Sequence, residues 1–381
     1  VIEIKPLIIA FDAKRLFNNN TGLGNYSRTL VRNLQKYYPQ HKYHLFTPKI
    51  IINDETQYFL DTSKFIIHTP KRSPFLYRSW LMSREINNLQ PDIFHGLSHE
   101  IPFGLHKNIK SVVTFHDLIY EKFPSQFGLW DRYAYKIKYK SSAFRSDYIL
   151  AISQSTKNDL KDIYHLDDRK IHVVYQSCHS DFQLLELPKN TLLPKKIIGL
   201  KDYFLYVGSI IERKGLLDIV KAYSELPTNF QRPFVVVGSG KGHYMQSVHN
   251  LIEQYHLKDK FIFLNSISNH QLVIIYDNCF IFIYPSIYEG FGIPIIESLY
   301  RKKPVITTTE SSLPEAAGPG ALLVKPNNVK GIVESIITLT TQKDTYYSKG
   351  QRGHEYVKEK FSDDITAKSL MQFYKYILEN H

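Results

Sequence analysis

The chain has 381 residues, more than one ordinary hydrophobic core supports, and suits two domains. Hydrophobic residues make up 43% and charged residues 22%, the balance of a globular protein, and the lack of any uninterrupted apolar run of about 18 residues excludes a membrane-crossing helix. The net charge of +12 is concentrated in residues 1–190, which hold 26 Lys and Arg against 18 Asp and Glu, and it suits nucleic acid, phosphorylated substrates or an acidic membrane surface. No zinc-finger spacing, RNP-like string or basic-region heptad occurs, so nucleic acid is the least favoured of the three. Cys178 and Cys279, the only cysteines, cannot staple a fold of this size, and a reducing cytoplasm is expected. Residues 1–12 lack a basic start and a cleavage site, so they read as a first strand and not as a secretion signal.

Short runs rich in Ile, Val, Phe and Tyr alternate with helix-like stretches, the rhythm of parallel sheets covered by helices. In chain order the predicted strands are 7–11, 43–46, 65–68, 92–95, 111–115, 147–152 and 171–175, then 203–207, 234–237, 261–264, 280–284, 305–307 and 322–324. Between the two sets, Asp181 to Leu200 carries Leu, Pro and Lys without periodicity and reads as a linker. The expected domains are 1–185 and 200–360. The last stretch, 361–381, reads as a helix with Ile365, Leu370, Phe373, Tyr374 and Ile377 on roughly one face.

In open parallel sheets ligands bind beyond the carboxyl ends of strands, and the polar candidates cluster there. Thr21-Gly22-Leu23-Gly24 follows the first strand as a Gly-rich loop, either a plain turn or a place where backbone approaches a ligand. His95 and His99 have no third ligand at helical spacing, so a structural role is preferred to a metal. His116-Asp117 ends the fifth strand, leaving a general base, a sugar-hydroxyl partner and a buried structural histidine open. Arg132, Lys136 and Lys140 form a basic stripe at helical spacing, beside Tyr133, Ile137 and Phe144 on another face and with Trp130, Tyr135 and Tyr139 as interfacial aromatics. Lys71, Arg72, Arg78 and Arg84, interleaved with Phe75, Tyr77 and Trp80, would extend the patch; a solvated face and a membrane or polyprenyl-diphosphate contact both fit.

In the second half, Ser209 opens a loop that carries Arg213 and Lys214 ahead of an amphipathic helix, a position suited to a diphosphate or to a solvated basic pair. Strand 280–284 then runs through Glu289-Gly290-Phe291-Gly292 into a helix whose start tolerates Pro294. Glu289 falls in the loop and Glu297 about one turn into the helix, on the face toward the loop, so both carboxylates are expected to line one small cavity.

This string, continued by Pro304-Val305-Ile306-Thr307, Ser311-Ser312-Leu313-Pro314-Glu315 and Ala321-Leu322-Leu323-Val324, resembles glycosyltransferase family 4, retaining enzymes of the GT-B fold that carry Glu, seven residues and Glu around Glu-Gly-Phe-Gly. The resemblance implies an α/β architecture of two Rossmann-like domains facing across a cleft, the N-terminal one for the acceptor and the C-terminal one for the nucleotide sugar, with the last helix crossing back. It implies that Arg213 and Lys214 stabilise the departing nucleotide and that Gly24 abuts the donor. Glu289, Gly290, Phe291 and Gly292 would bind the sugar, Glu297 the ribose and His116 the transferred sugar, while Ser209 and Ser266 would add donor contacts, the latter in the base loop 266–269. Asp-x-Asp, the metal-diphosphate clamp of the other major glycosyltransferase fold, is absent, so no metal or other cofactor is expected.

His116-Asp117-Leu118 with Ser311–Glu315 is most similar to bacterial O-antigen mannosyltransferases. The expected activity is retaining transfer of a hexose, mannose from GDP-mannose favoured, to a growing lipid-linked surface glycan, in the cytoplasm or peripherally on the inner face of the membrane. A UDP- or dTDP-sugar donor and a catalytically silent scaffold protein remain as alternatives. Gln176-Ser177-Cys178 and Asn265 depart from the family pattern, leaving acceptor and base contacts open.

Overall fold

The computed structural model describes residues 5–70, 77–184 and 191–380. The chain divides into two compact units, Val1–Ser177 with Asp363–His381, and Cys178–Ser362. Among the described residues, the first unit holds β1 (Ile8–Asp12), α1 (Lys14–Asn18), α2 (Gly22–Tyr37), β2 (Lys42–Phe46), β3 (Phe65–His68), α3 (Met82–Leu89), β4 (Ile93–Gly96), β5 (Lys110–Phe115), α4 (Ile119–Lys122), α5 (Leu129–Arg145), β6 (Tyr148–Ala151), α6 (Gln154–Tyr164) and β7 (Ile171–Val173). The second holds β8 (Tyr203–Val207), α7 (Leu216–Glu225), β9 (Phe234–Val237), α8 (Gly242–Gln254), β10 (Phe261–Leu264), α9 (Asn269–Asn278), β11 (Cys279–Tyr284), α10 (Ile293–Tyr300), β12 (Val305–Thr308), α11 (Leu313–Ala317), β13 (Ala321–Val324), α12 (Val329–Thr341) and α13 (Lys343–Phe361). The returning helix α14 (Asp363–Glu379) belongs to the first unit.

Each unit is built on one all-parallel sheet, ordered β3-β2-β1-β4-β5-β6-β7 in the first and β10-β9-β8-β11-β12-β13 in the second. The strands are apolar on both faces because helices cover both, and Tyr203–Val207 is buried along its whole length. In both sheets the strand order reverses once, between β1 and β4 and between β8 and β11. The loops leaving those two strand pairs part to opposite faces there, which opens a crevice at their carboxyl ends.

Helix α14 is seated by polar contacts at its start and by apolar ones along its length. Asp363 Oδ1 accepts from Asn33 Nδ2 of α2 at 2.9 Å and from Ser177 Oγ at 2.7 Å, and Tyr374 OH meets His95 Nδ1 at 2.6 Å. Leu370, Phe373, Tyr374 and Ile377 are buried as expected from their spacing. Ile365 is not: five residues before Leu370 it falls on the far side of the helix and stays exposed.

The unit boundary lies at Ser177/Cys178, ahead of the linker read at Asp181–Leu200. Its described residues pack as irregular turns, which leave no periodicity. Phe182 is buried with its ring 5.7 Å from that of Tyr276, Ile197 is buried, and Arg301 Nη1 satisfies the carbonyls of Phe182 and Leu184 at 3.3 and 2.7 Å. Residues 185–190 of the proposed linker lie outside the described residues. Among the described residues no helix is long and apolar enough to cross a membrane.

Candidate active site

The second unit gathers its charged residues where its strand order reverses. From β8 the chain makes a short turn, Glu212–Lys214, that delivers Arg213 and Lys214; from β11 it runs through Pro285 to Glu289. The two segments are tied together, since Ile287 N–H donates to Arg213 O at 2.9 Å and Ser286 Oγ to the same carbonyl at 3.2 Å. Arg213 Nη1 lies 2.9 Å from Glu289 Oε1 and also bonds the Tyr288 carbonyl. Lys214 Nζ lies 3.4 Å from that carboxylate oxygen, which accepts from Tyr284 OH at 2.8 Å and Ser286 Oγ at 2.9 Å as well. Two cations and two hydroxyls therefore converge on one oxygen of a side chain only 13% exposed.

Burial alone would push the Glu289 pKa up. Lys214 and Arg213, helped by both hydroxyls, outweigh it and hold the carboxyl below its ordinary value, so Glu289 is a carboxylate at neutral pH. Its backbone is fixed too: Glu289 N–H donates to Ser311 Oγ at 2.9 Å, and Ser312 Oγ donates to Glu289 O at 2.8 Å. Gly292, at the start of α10, has φ +110°, and a Cβ there would stand 3.3 Å from Leu313 Cδ2, so only glycine fits.

Glu297 differs from Glu289 in its surroundings. It is buried on α10, its Oε2 accepts from Tyr276 OH at 3.1 Å, and burial raises its pKa to about 7, with Tyr276 and His179 only partly opposing. The sequence reading set both acids in one small cavity. The structure separates them electrostatically, one ionised among cations and the other half-protonated near neutrality beside a tyrosine.

Other predicted residues of this unit sit at strand ends. Phe291 is buried with its ring edge-on to Phe361 at 5.2 Å, so its side chain belongs to the core. Ser209 is exposed and its carbonyl accepts from Tyr206 OH at 2.9 Å; Ser266 is exposed with φ +56°. The Asn265 amide, with its nitrogen turned toward them, donates to the carbonyls of Leu264 and Gly238 and so joins the ends of β10 and β9.

In the first unit Gly22 and Gly24 are not a loop but the first turn of α2. Asn19 Oδ1 accepts from the N–H of Thr21 at 2.9 Å and of Gly24 at 3.0 Å, acting as the cap that Thr21 itself does not supply. A Cβ on Gly24 would lie 1.8 Å from Asn19 O, so the glycine is demanded by close backbone approach, and its N–H is already engaged.

His116 is buried, donates its backbone N–H to His99 Nε2 at 3.0 Å and places Nε2 2.9 Å from Leu97 O. Burial foremost drives its pKa down to about 4, so the ring is neutral at pH 7 with the Nε2 proton on Leu97. Such a ring is an oriented hydrogen-bonding group and a weak base. His95, bonded to Tyr374 and Thr114, is structural.

Arg78, read as part of a surface patch, is turned inward instead, its side chain only 12% exposed. The π-helical turn Tyr77–Leu81 directs it inward to Asp12, to Glu100 at 2.7 Å and to Ser98. Lys71, Arg72 and Phe75 of that patch lie outside the described residues. On α5, Lys136 and Lys140 are exposed and Arg132 is half-buried. Tyr135 and Tyr139 pack inward, Tyr139 stacking on His99 at 4.4 Å, and are not interfacial.

Sequence reasoning missed Tyr284, Ser286 and Tyr276. The first two stand at the carboxyl end of β11, where a hydroxyl in an otherwise apolar run is the available signal; Tyr276 sits in the last turn of α9 and carries none.

Two parallel-sheet Rossmann-like units with polar residues at the carboxyl ends of their strands are the architecture of the GT-B fold. Residues 20–180 match the model for Glycosyltransferase Family 4 and residues 192–356 that for glycosyl transferases group 1, and the chain belongs to glycosyltransferase family 4. It is 26% identical over 333 residues to O-antigen chain mannosyltransferase B of Escherichia coli, covering 83% of this chain and 86% of that one. It is 28% identical over 257 residues to the O-antigen chain mannosyltransferase RfbU of Salmonella typhimurium, covering 67% of each. Among solved structures, a glycosyltransferase from Rickettsia africae superposes with a TM-score of 0.73 at 20% identity over 99% of this chain and 100% of that one.

Proposed function

We propose that this glycosyltransferase moves mannose from GDP-mannose, with retention at the anomeric carbon, onto a growing lipid-linked surface glycan. The names of the two O-antigen relatives support the sugar and the product. The observation that carries the reading is the convergence of Arg213, Lys214 and Glu289 at the reversal point of the second sheet.

As the bond from anomeric carbon to phosphate breaks, negative charge grows on the leaving diphosphate and positive charge on the sugar. Arg213 and Lys214 supply fixed positive charge for the diphosphate, and Glu289, kept ionised, accepts from sugar hydroxyls. Glu297, near half-protonation at pH 7, can both donate to and accept from ribose hydroxyls. The acceptor hydroxyl forms its bond on the face the diphosphate leaves and passes its proton to a departing phosphate oxygen. No metal or other cofactor takes part in this reading, the first unit binds the acceptor, and the protein works at the cytoplasmic side of the membrane. A silent scaffold has no use for three charges in a low-dielectric pocket, each costing several kcal/mol to desolvate.

Thermal-shift measurement against GDP, UDP, dTDP and ADP tests the donor, because the diphosphate that binds the folded state raises its melting temperature. GDP is expected to give the largest shift, and Arg213→Ala to abolish it. A response to UDP alone would replace the donor, and an unchanged shift in Arg213→Ala would move the phosphate site. The anomeric configuration of the product, read by NMR, decides retention.

A further inference from the structure

Helix α10 carries the chain away from the Glu289 loop, at the carboxyl ends of the strands, to the amino ends of the same sheet, where Arg301 and Lys302 lie just ahead of β12. A cavity of about 540 Å³ opens there, lined by Tyr300, Arg301 and Lys302 and by His354 and Lys358 of α13. Its volume is that of a small-molecule site and exceeds what a lone ion fills. The sequence builds this wall through Gly350, which lets α13 close on the end of α10: a Cβ there would stand 2.3 Å from Lys302 O. His354 and Lys358 follow at successive intervals of four, so they share the face that Gly350 presents to α10.

The charges of the wall do not balance. Asp277, which also lines the cavity, gives both oxygens to Arg301, at 2.6 Å from Nε and 2.9 Å from Nη2, and Arg301 Nη1 donates to the carbonyls of Phe182 and Leu184. That arginine is neutralised and serves the fold. Lys302 and Lys358 are exposed, and among the described residues no carboxylate pairs with either. His354 Nδ1 lies 2.9 Å from Tyr300 O, which can only accept, so Nδ1 carries the proton and Nε2 keeps a lone pair. Burial foremost, and then Lys302 and Lys358, hold the His354 pKa below its ordinary value, so both ammonium groups bear on the one ring.

We infer that this cavity is a second ligand site, which takes a phosphate monoester with its phosphoryl group on Lys302 and Lys358 beside His354 and its organic body in the remaining space. A phosphoryl dianion matches the charge of two ammonium groups that have no protein partner. Phe182 and Ser362, near the start and at the end of the second unit, also line the cavity, so an occupant braces both ends of that unit's chain. The site stands at the opposite ends of the strands from Arg213, Lys214 and Glu289 and is independent of the donor assignment.

Isothermal titration calorimetry of the full chain with ribose 5-phosphate, inorganic phosphate and ribose tests the site. The ester is expected to bind, inorganic phosphate to bind more weakly and ribose to give no heat. Lys302→Glu with Lys358→Glu should lower the affinity for the ester by about tenfold or more and leave the thermal shift with nucleoside diphosphates as in the parent. Lys258→Glu with Lys260→Glu makes the same change of charge beside β10, at the far edge of the sheet, and should leave ester binding unchanged. All four lysines are exposed, circular dichroism checks that the variants fold, and Lys358→Gln alone should give a smaller loss in the same direction. No binding of the ester, equal affinity for inorganic phosphate, unchanged binding in the folded Lys302 and Lys358 double variant, or an equal loss in the two double variants each overturns the proposal. A failed donor assignment appears instead in the diphosphate thermal shift and leaves these heats as they are.

Discussion

Lys214 donates through its ammonium to the hydroxyl of Tyr284 at 2.7 Å, and that hydroxyl donates onward to Glu289 Oε1 at 2.8 Å. The tyrosine thus relays between a cation and an anion that also meet directly at 3.4 Å. Tyr284→Phe keeps the ring and its stacking on Phe282 but removes the relay, leaving a largely enclosed ammonium and carboxylate each one partner short. Stability is expected to fall by about 1–3 kcal/mol, and the transfer rate by on the order of tenfold. Denaturation midpoints and steady-state kinetics check both, and a fully active variant would show that the hydroxyl positions nothing.

Arg213 and Glu289 should behave as one unit. Removing either alone strands the other in a low-dielectric site, so Arg213→Ala and Glu289→Ala are each expected to destabilise the second unit by about 3–5 kcal/mol. The double variant should fall short of the sum by about 1–3 kcal/mol. Far-ultraviolet circular dichroism is the suitable probe, because both tryptophans belong to the other unit and are blind to this one. Strict additivity would mean that the 2.9 Å contact carries no coupling.

Why the sequence revealed some of this and not the rest follows from the period of each signal. Strands such as Tyr203–Val207 and Phe234–Val237 are short apolar runs buried on both faces, so composition alone locates them. Arg213, Lys214 and Glu289 stand out as charges at strand ends. Their mutual contact does not, because Glu289 lies more than seventy residues beyond Arg213 and only the pairing of β8 with β11 brings them together. Arg78 misled for the opposite reason: basic and beside Trp80, it looked superficial, yet its partners Asp12 and Glu100 lie on distant segments. Asn19 was hidden because a cap five residues ahead of the amide it holds leaves no periodic trace.

Glu297 gives a pH dependence with a definite sign. Its folded pKa is about 7 against an ordinary 4.5, so between those values the folded state binds more protons than the unfolded one. Stability must therefore fall as pH rises through that window, and the loss is complete above about pH 7. Glu297→Gln removes the titrating group. Near pH 5 the variant should match the parent, and by pH 8 it should be the more stable by up to roughly 3 kcal/mol, although its nucleotide affinity should be lower. Urea denaturation across pH measures the difference, and a gap that does not change with pH would show that Glu297 is ionised throughout.

Gly24 and Asn19 separate steric from hydrogen-bonding demands at the start of α2. Gly24→Ala would set a methyl 1.8 Å from a backbone oxygen, which no side-chain rotation relieves, so the helix start or the 18–20 segment has to move. The expected loss exceeds about 3 kcal/mol, the range of clashes that backbone must absorb. Asn19→Ala removes only the cap shared by the Thr21 and Gly24 amides and should cost about 1 kcal/mol. Both are read through tryptophan fluorescence, which reports this unit. If Gly24→Ala costs no more than Asn19→Ala, the segment carrying Asn19 yields to the methyl and the close approach does not demand glycine.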